Sequence, residues 1–435
     1  MNMKNTKIEC KCIDMTIDGF GVCKHDSLVI FVKQMLPDEV AVIKIIAHKK
    51  NLAYGIIDEM ISPSKYRIKS ICPVAYKCGG CDLRHCQYGY GLKLKKELLE
   101  HTMELAKVNV EVQAICASPL EDHYRNKVQI PVQNGELGFY RKNSNDIVKF
   151  DTCFIQTATE NEIINAFKTL IHKYHVSSFI KHIIVKEAFG TGEVMVALIV
   201  KTFDLPHIDV LVAEVVAQFP KIASFILNLN TREDNVVLGT DEKVMYGSSY
   251  IIDEFDGLEV EISLKSFYQV NYHQMLNLYA KVKEVANINK NTVVLDLFSG
   301  IGTISLYLAR YAKHVISVEI VDAAVENAKA NAKRNNLTNV DFILGDAKDD
   351  LFKHLEGVDV VVVDPPRKGL HADIIKNIAK RDVDKVVYVS CNPATMARDL
   401  KLFEEEGYHF DTLYPFDMFP HTMHVECIAL LQRQK

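Results

Sequence analysis

From residue 291 onward, short apolar runs alternate with segments of helical periodicity. The first run, residues 292–297, leads into a glycine turn and then into a predicted helix over residues 304–311. Further runs rich in β-branched residues follow at 314–318, 341–344, 358–363 and 386–389. Strands that alternate with helices form a parallel sheet with helices on both faces. The pattern therefore predicts an α/β, Rossmann-like domain in the C-terminal part of the chain.

Each of these predicted strands leads to a residue that can bind or react, namely Gly300, Glu319, Asp346, Asp364 and Cys391. Because the carboxyl ends of parallel strands meet at one edge of the sheet, we expect a ligand cleft there. Glu319 is placed to accept the two hydroxyls of a ribose. The turn has Gly300 and Gly302 but lacks the third glycine of a dinucleotide site. A nucleoside without a pyrophosphate, such as S-adenosylmethionine, fits better.

Cys391 follows the strand at 386–389, and Asn392-Pro393 interrupts that strand before a helical segment begins. A free cysteine is commonly just a small buried residue. A thiol at the ligand edge of the sheet is instead a candidate nucleophile. Position in the sequence leaves both interpretations open.

The whole chain of 435 residues has a net charge of −5 and contains eleven cysteines. An odd number of cysteines in a chain without a signal peptide argues for thiol chemistry or metal ligation rather than a disulfide framework. Residues 1–107 hold 17 Lys+Arg and 12 Asp+Glu, so this part is basic and the remainder is acidic. Because no apolar run approaches the length of a membrane span, we expect a cytoplasmic protein without a membrane segment.

Residues 6–60 contain several short alternating strands separated by turns such as Asp18-Gly19. Strands this short and this numerous predict a small β-barrel similar to an oligonucleotide-binding fold. Basic stretches lie at 47–50 and 65–69, with Tyr66 between cations. They suit a surface that follows a nucleic-acid backbone, and they equally suit ordinary solvated loops.

Three cysteines, Cys72, Cys78 and Cys81, lie within ten residues, and two glycines precede the last of them. Such a group fits core packing poorly and predicts a metal site. Thiolates suit zinc or an iron–sulfur cluster, and the spacing does not decide between them. A closed site needs a fourth ligand, for which the candidates are His85, Cys86, Cys116 and Cys153.

Residues 63–262 mix helical and strand-like patterns. Apolar residues at helical spacing predict an amphipathic helix over 90–108. Strand-like runs at 127–132, 183–185 and 194–200 alternate with helical segments at 161–174 and 208–219. The chain is thus predicted to have three domains, a β-barrel at 1–62, a central α+β domain at 63–262 and an α/β domain at 263–435.

Four motifs together resemble the class I RNA uracil-5-methyltransferases, namely residues 296–303 (Asp-Leu-Phe-Ser-Gly-Ile-Gly-Thr), 364–367 (Asp-Pro-Pro-Arg), 390–395 (Ser-Cys-Asn-Pro-Ala-Thr) and 424–427 (His-Val-Glu-Cys). Residues 266–271 are similar to the start of that family's catalytic domain. The resemblance is greatest to the branch that methylates uridine in 23S rRNA, and it covers nearly the whole chain. It implies that the barrel is an RNA-binding TRAM domain and that the three cysteines belong to a [4Fe–4S] cluster.

Carried over residue by residue, the resemblance implies that Cys391 is the nucleophile and Glu426 the base. It makes Cys153 the fourth cluster ligand, beside Cys72, Cys78 and Cys81. His424 would at most orient the base. The residues implied to contact S-adenosylmethionine are Gln269, Phe298, Gly300, Glu319, Asp346 and Asp364, with Asp346 near the adenine.

The resulting hypothesis is the transfer of a methyl group from S-adenosylmethionine to carbon 5 of a uridine in structured RNA, with 23S rRNA as the substrate. Carbon 5 of uracil is a poor nucleophile, so a thiolate has to add at carbon 6 first. The methylated adduct retains a proton that a base must remove, and the apolar sequence around Glu426 favours the raised pKa of such a base. RNA is then the partner, a monomer suffices and no protein partner is required.

Three other functions are weighed against this hypothesis. One is uracil-5 methylation of tRNA, and another is methylation of an amino group by an enzyme whose cysteines bind zinc. The amino-group class places an aromatic residue after Asp/Asn-Pro-Pro, whereas Arg367 stands here, and it predicts that Cys391→Ala stays active. The third is an RNA-binding protein with a vestigial pocket, which predicts failure to bind S-adenosylmethionine.

Overall fold

The computed structural model describes residues 3–348 and 356–434. Its strands form a closed barrel, a six-stranded sheet, a nine-stranded sheet and two separate strand pairs. None of the helices over these residues combines the length and the apolar character that crossing a lipid bilayer requires.

The N-terminal barrel confirms the small β-domain predicted for residues 6–60. Alternate side chains of its strands point inward and form an apolar core that includes Ile8, Ile30 and Ile43. The hydrogen-bonded order is first, second, third, fifth, fourth, and the fourth strand pairs with the first to close the barrel. The basic stretch at 47–50, for which a solvated loop was one interpretation, forms the end of the fourth strand and the start of the turn that leads to the fifth. The strands are β1 (Lys7–Met15), β2 (Phe20–His25), β3 (Leu28–Lys33), β4 (Val40–Lys49) and β5 (Leu52–Ser62).

The middle of the chain contains three helices and eleven strands among the described residues. The helices are α1 (Tyr88–Leu105), α2 (Ala158–Lys173) and α3 (Ile208–Gln218). The strands are β6 (Glu111–Val112), β7 (Lys127–Gln133), β8 (Glu136–Leu137), β9 (Phe139–Tyr140), β10 (Ile147–Val148), β11 (Ile180–Glu187), β12 (Val194–Val200), β13 (Ile222–Leu229), β14 (Asp241–Gly247), β15 (Tyr250–Phe255) and β16 (Leu258–Ser263).

The six-stranded sheet has the order β14-β13-β12-β11-β7-β8, and its central strands β12 and β13 are buried on both faces. One face packs with α2 and α3 in a single apolar cluster. The other face contributes residues such as Met195 and Ile226 to a cluster shared with the C-terminal domain. The middle of the chain is therefore an α+β arrangement, as predicted, and its sheet forms part of the support for the catalytic domain.

The C-terminal domain is built on a nine-stranded sheet with the main order β19-β18-β17-β20-β21-β24-β23-β6. Its elements are α4 (Tyr272–Ala286), β17 (Val293–Leu297), α5 (Thr303–Ala309), β18 (His314–Glu319), α6 (Asp322–Arg334), β19 (Val340–Leu344), β20 (Val360–Val363), α7 (Ala372–Lys380), β21 (Lys385–Ser390), α8 (Pro393–Glu405), β22 (Tyr408–His409), β23 (Thr412–Phe416) and β24 (Glu426–Arg433). Strands β17 to β21 are parallel, and β24 is antiparallel to β21 and β23. The order of the strands reverses between β17 and β20, the point where ligands bind to such sheets.

Helices cover both faces of this sheet, as the Rossmann-like prediction requires. Helices α4, α5 and α6 contribute to one apolar cluster, and α1, α7 and α8 contribute to the other. Helix α1 lies against α8, and β6 pairs in parallel with β23. A helix and a strand that precede the six-stranded sheet in the chain thus pack with the nine-stranded sheet. The domain boundary at 262/263 remains a prediction.

Candidate active site

The carboxyl ends of the parallel strands bring the predicted binding residues to one edge of the sheet. Phe298 follows β17, Glu319 ends β18, Asp364 follows β20 and Cys391 follows β21. Since β17 pairs with both β18 and β20, and β20 pairs with β21, these residues lie at adjacent strand ends. Asp346 follows the edge strand β19, one strand beyond Glu319.

The turn after β17 leaves room for a ligand on one side. Phe298, Gly300 and Gly302 all have positive φ, of 65°, 57° and 81°. A Cβ on Gly302 would lie 2.6 Å from the Phe342 ring, whereas a Cβ on Gly300 would meet no atom within 4 Å. The turn therefore packs tightly at Gly302 and is open at Gly300, as expected of a loop that a ligand approaches closely.

The Glu319 carboxylate organises the same turn. One of its oxygens accepts a hydrogen bond from the Gly300 N–H at 2.9 Å. The other oxygen accepts from the N–H groups of Ile320 and Val321, each at 2.9 Å. Its position beside the open part of the turn allows Glu319 to accept hydrogen bonds from ligand hydroxyls as well.

A buried carboxylate that the sequence analysis did not single out supports this turn. Asp296 in β17 is fully buried, and burial raises its pKa to about 7. The Ser305 hydroxyl in α5 donates to one of its oxygens. The other oxygen has no hydrogen-bond partner within the described residues. The position of Asp296 at the start of the glycine motif is the sequence signal that could have identified it.

Cys391 and Glu426 are brought together by the pairing of the last strands. Strands β21 and β24 are antiparallel, and Ser390 is paired with Cys427. Cys391 and Glu426 are the next residues at the ligand edge, and the charge of Glu426 acts on the Cys391 thiol. Cys391 is half-buried, whereas Glu426 is only 3% exposed.

The groups that meet at Cys391 have raised pKa values. Burial raises the pKa of Glu426 well above that of a free carboxyl, as its apolar sequence predicts, and the charge of Asp364 adds to the shift. Burial raises the pKa of Asp364 to about 7, although part of its side chain is exposed. The pKa of the Cys391 thiol rises to about 11 because of burial and of the charges of Glu426 and Asp364.

Arg367 is the positive charge beside this thiol and opposes the increase in its pKa. The Arg367 carbonyl accepts hydrogen bonds from the Asn392 side-chain amide at 2.9 Å and from the Thr395 hydroxyl at 3.2 Å. Its guanidinium lies 3.4 Å from Nδ1 of His424. In the sequence, Arg367 argues only against an amino-group enzyme, whereas the fold makes it a neighbour of Cys391.

Gln269 lies where the six-stranded sheet meets the catalytic domain. Its carbonyl accepts a hydrogen bond from the Asn126 side chain at 3.0 Å, and the Asn126 N–H donates to Val270 at 3.0 Å. The buried Lys186 ammonium donates to the carbonyls of Ser263 at 2.7 Å and Ser266 at 3.1 Å. The segment that carries Gln269 is therefore held in place by the middle sheet.

The four cysteines that the resemblance implies as ligands line a single cavity. Cys72, Cys78 and Cys81 meet Cys153 there. Burial raises the pKa of Cys81 to about 11 and that of Cys153 to about 12. The described residues contain no group of three or more His, Cys, Asp or Glu side chains placed to hold a single metal ion. The remaining walls are largely apolar and include Val74, Ala75, Phe139, Phe150, Phe154 and Ile155.

The other candidates for a fourth ligand lie elsewhere. Cys86 faces a small space beside Tyr88 and Lys95. Cys116 is next to the catalytic sheet, where its N–H donates to the Pro415 carbonyl at 2.8 Å. His85 lines a neighbouring groove. Of the four candidates, Cys153 is the one on the cavity wall.

The doubly wound sheet has an antiparallel last strand, and an open glycine turn lies where the strand order reverses. These features define this protein as an α/β methyltransferase with an added barrel. The family model of the tRNA (uracil-5-)-methyltransferases matches residues 87–434. The chain belongs to this family, and it is an S-adenosylmethionine-dependent RNA uracil-5-methyltransferase.

Close relatives and a solved structure agree with this assignment. A protein of Bacillus cereus described as an uncharacterized RNA methyltransferase is 41% identical over an alignment of 446 positions, which covers 99% of this chain and 97% of the relative. A similarly described protein of Oceanobacillus iheyensis is 41% identical over 436 residues, covering 96% and 95%. The tRNA (uracil-54, C5)-methyltransferase of Pyrococcus abyssi, solved with S-adenosyl-L-homocysteine, has a TM-score of 0.78 and 28% identity, covering 97% of this chain and 99% of its own.

Proposed function

We propose that this enzyme methylates carbon 5 of a uridine in 23S rRNA, with Cys391 as nucleophile and Glu426 as base. The observation that carries the proposal is the position of Cys391 beside Glu426, next to Asp364, at the ligand edge of a methyltransferase sheet. A partly exposed thiol and a buried carboxyl at one place provide the two groups that the reaction needs.

The chemistry begins with addition of the Cys391 thiolate to carbon 6 of the uracil. The new S–C bond moves an electron pair to carbon 5 and forms an enolate. Carbon 5 takes up the methyl group that S-adenosylmethionine would supply; the S–CH3 bond breaks, its electron pair stays on sulfur, and S-adenosylhomocysteine is the leaving group. Glu426 in its carboxylate form then removes the proton from carbon 5, the C6–S bond breaks and Cys391 leaves as a thiolate.

Arg367 has a distinct role in this sequence of steps. The thiolate is the reactive form of Cys391, yet burial and two acidic neighbours disfavour it. The Arg367 guanidinium lowers the pKa of Cys391 and so stabilises the thiolate. The raised pKa of Glu426 also makes its carboxylate form a better proton acceptor.

The cofactor would be held along the strand ends that flank the glycine turn. The open space beside Gly300 and the carboxylate of Glu319 support a nucleoside there. Phe298 lies in the same turn, and Asp346 lies one strand beyond Glu319. Gln269 and Asp364 complete the proposed contacts with S-adenosylmethionine.

The cysteine cavity suits a [4Fe–4S] cluster held by Cys72, Cys78, Cys81 and Cys153. A four-iron cluster binds each cysteine to a different iron, so its ligands lie further apart than those of one metal ion. Four thiols around one apolar cavity supply the four ligands that such a cluster needs. The cluster would be structural, because methyl transfer to uracil has no redox step.

The barrel carries aromatic rings that support its proposed role as a TRAM domain. The ring of Tyr54 lies 6.1 Å from Phe20 and 5.6 Å from Phe31, and Tyr54 is exposed. The Lys142 ammonium lies 5.1 Å from the centre of the Phe20 ring. Exposed rings beside cations bind unpaired bases by stacking, so a loop of RNA in the cytoplasm is the substrate we propose for a monomeric enzyme.

A tRNA substrate is the second candidate. The solved protein with a TM-score of 0.78 is described as a tRNA (uracil-54, C5)-methyltransferase, and the matching family model has tRNA in its description. Both candidates use the same chemistry at Cys391, so the RNA alone distinguishes them.

The test uses purified protein, S-adenosylmethionine and RNA that contains 5-fluorouridine, with a 23S rRNA fragment and a tRNA transcript in parallel. Fluorine at carbon 5 cannot leave as a proton, so the covalent adduct should persist on a denaturing gel. We expect a shifted band with wild type and with Cys427→Ala, a neighbouring buried thiol, and none with Cys391→Ala. The 23S fragment should be trapped in preference to tRNA.

Two results would change the proposal. If only tRNA is trapped, the second candidate replaces the first. If bound RNA gives no adduct with wild type, Cys391 is not a nucleophile and the mechanism is wrong.

A further inference from the structure

The loop at 417–424 leads directly into β24 and the proposed base, Glu426. Several of its hydrogen bonds come from residues outside the loop. Three of its carbonyls accept hydrogen bonds from such side chains: that of Phe419 from Lys95 at 3.1 Å, that of Met418 from Asn271 at 3.2 Å and that of Pro420 from Tyr124 at 3.2 Å. The position of the base therefore depends on residues that are far away in the sequence.

Asp82, the residue after Cys81, contacts the last part of this loop. Its N–H and that of Leu83 donate to the His421 carbonyl at 2.8 Å and 2.9 Å. Its carboxylate Oδ2 accepts a hydrogen bond from the Met423 N–H at 3.3 Å. Met423 is only three residues before Glu426, so this bond restrains the last turn of the loop.

The other carboxylate oxygen of Asp82 connects the loop to the RNA-facing part of the molecule. Lys142 donates to Oδ1 at 2.6 Å and also to the Asp18 carbonyl in the barrel. A Cβ on Gly19 would lie 2.6 Å from the Asp82 Cβ, so the barrel packs directly on this side chain. Barrel, middle region and catalytic loop thus meet at Asp82.

We propose that Asp82 is a positioning residue for the base: through Met423 it directs the Glu426 carboxylate at the proton on carbon 5. The inference rests on the proposed function. The hydrogen bonds of Asp82 go to Lys142, His421 and Met423 and not to Cys391, so its loss should leave addition and methyl transfer intact. Proton removal is the step that slows, because a base displaced from its reaction geometry is a poor one. The methylated covalent adduct then accumulates on ordinary uridine.

The experiment measures that adduct with unmodified RNA and S-adenosylmethionine on a denaturing gel, alongside turnover. For Asp82→Ala we expect turnover to fall about tenfold, with a clear adduct band, because one hydrogen bond to the loop is lost. Asp82→Asn keeps an oxygen that can accept from Met423 and should recover most of the turnover. Asp359→Ala is the matched control, since Asp359 accepts from the Val293 N–H at 2.7 Å at the opposite edge of the sheet.

A fall in turnover without an adduct band, in Asp82→Ala that is folded and binds RNA, would overturn the inference. The same band in Asp359→Ala would overturn it too, because general loosening would then be the cause. If Asp82→Ala does not fold, Lys142→Met serves instead, since it removes the cation that holds Asp82, and a weaker adduct band is expected. Wild type that gives no adduct even with 5-fluorouridine contradicts the proposed function itself, a result distinct from failure at Asp82.

Discussion

Two thiols in this protein, Cys391 and Cys81, have similar pKa values in different surroundings. Burial raises the pKa of both Cys391 and Cys81 to about 11. Cys391 lies among the acidic groups Glu426 and Asp364, whereas Cys81 lies among other cysteines in an apolar cavity. An arginine lowers the pKa at each site, Arg367 at Cys391 and Arg84 at Cys81.

The difference shows that the pKa of a thiol does not by itself reveal its role. A single thiol beside a proton acceptor, at the open edge of a sheet, is suited to form and break a covalent bond. Four thiols around one cavity are suited to ligation, and a metal would remove their protons. Substitutions at the two sites should therefore have different effects, on catalysis at Cys391 and on metal content at the cysteine cavity.

The largest expected effect is the loss of the nucleophile. Cys391→Ala should lower methyl transfer by roughly 10⁴-fold or more, because covalent catalysis has no substitute in the site. Cys427 is fully buried one residue after Glu426, and Cys427→Ala should stay within about threefold of wild type, since it only loses packing. Transfer of labelled methyl groups to RNA measures both. Activity in Cys391→Ala would favour the amino-group alternative.

Removal of the base should have the next largest effect. Glu426→Gln is expected to lower turnover about 10³-fold, the usual range for a general base. Adduct formation on unmodified RNA should continue, because Cys391 does not need Glu426 for addition. Quenched time courses on denaturing gels measure the two rates. Equal losses of adduct and product would show that Glu426 acts before carbon 6 is attacked.

The cysteine cavity should respond in metal content rather than in chemistry. Cys81→Ser is expected to lose the metal and lower the Tm by roughly 10 °C, since binding energy contributes to folding. Cys86→Ser, a buried cysteine off the cavity wall, should retain the metal. Iron, sulfide and zinc analysis of anaerobically purified protein measures this. Zinc without sulfide would refute the [4Fe–4S] assignment.

The smallest effect is a change in the pH dependence of Cys391. Its thiolate fraction should rise about tenfold per pH unit between pH 7 and 9, because the pKa of about 11 lies above that range. Glu426→Gln removes a negative neighbour, so the alkylation profile should move to lower pH. Arg367→Met removes the positive one, so it should move to higher pH. Peptide mass spectrometry after iodoacetamide treatment measures both profiles. Unchanged profiles would show that neither residue affects the pKa of the Cys391 thiol.

Local patterns were sufficient for the barrel, for the parallel strands and for the residues at their ends. Alternation and turn residues act over a few positions, and a parallel sheet brings its carboxyl ends together whatever the packing details. Glu319, Asp364 and Cys391 could therefore be placed in advance. The predicted helix at 90–108 became α1, but its packing against α8 could not be read from its own periodicity.

The sequence by itself determined the elements, the ligand edge and the family to which the chain belongs. Tertiary structure decided which of four candidates lies on the cavity wall beside the three cysteines, that Arg367 lies beside Cys391, and that Asp82 contacts a loop 341 residues away. The reason is physical: hydrogen bonds and ion pairs act over a few ångströms in space, and separation along the chain carries no information about them. Only the folded chain brings those groups within reach.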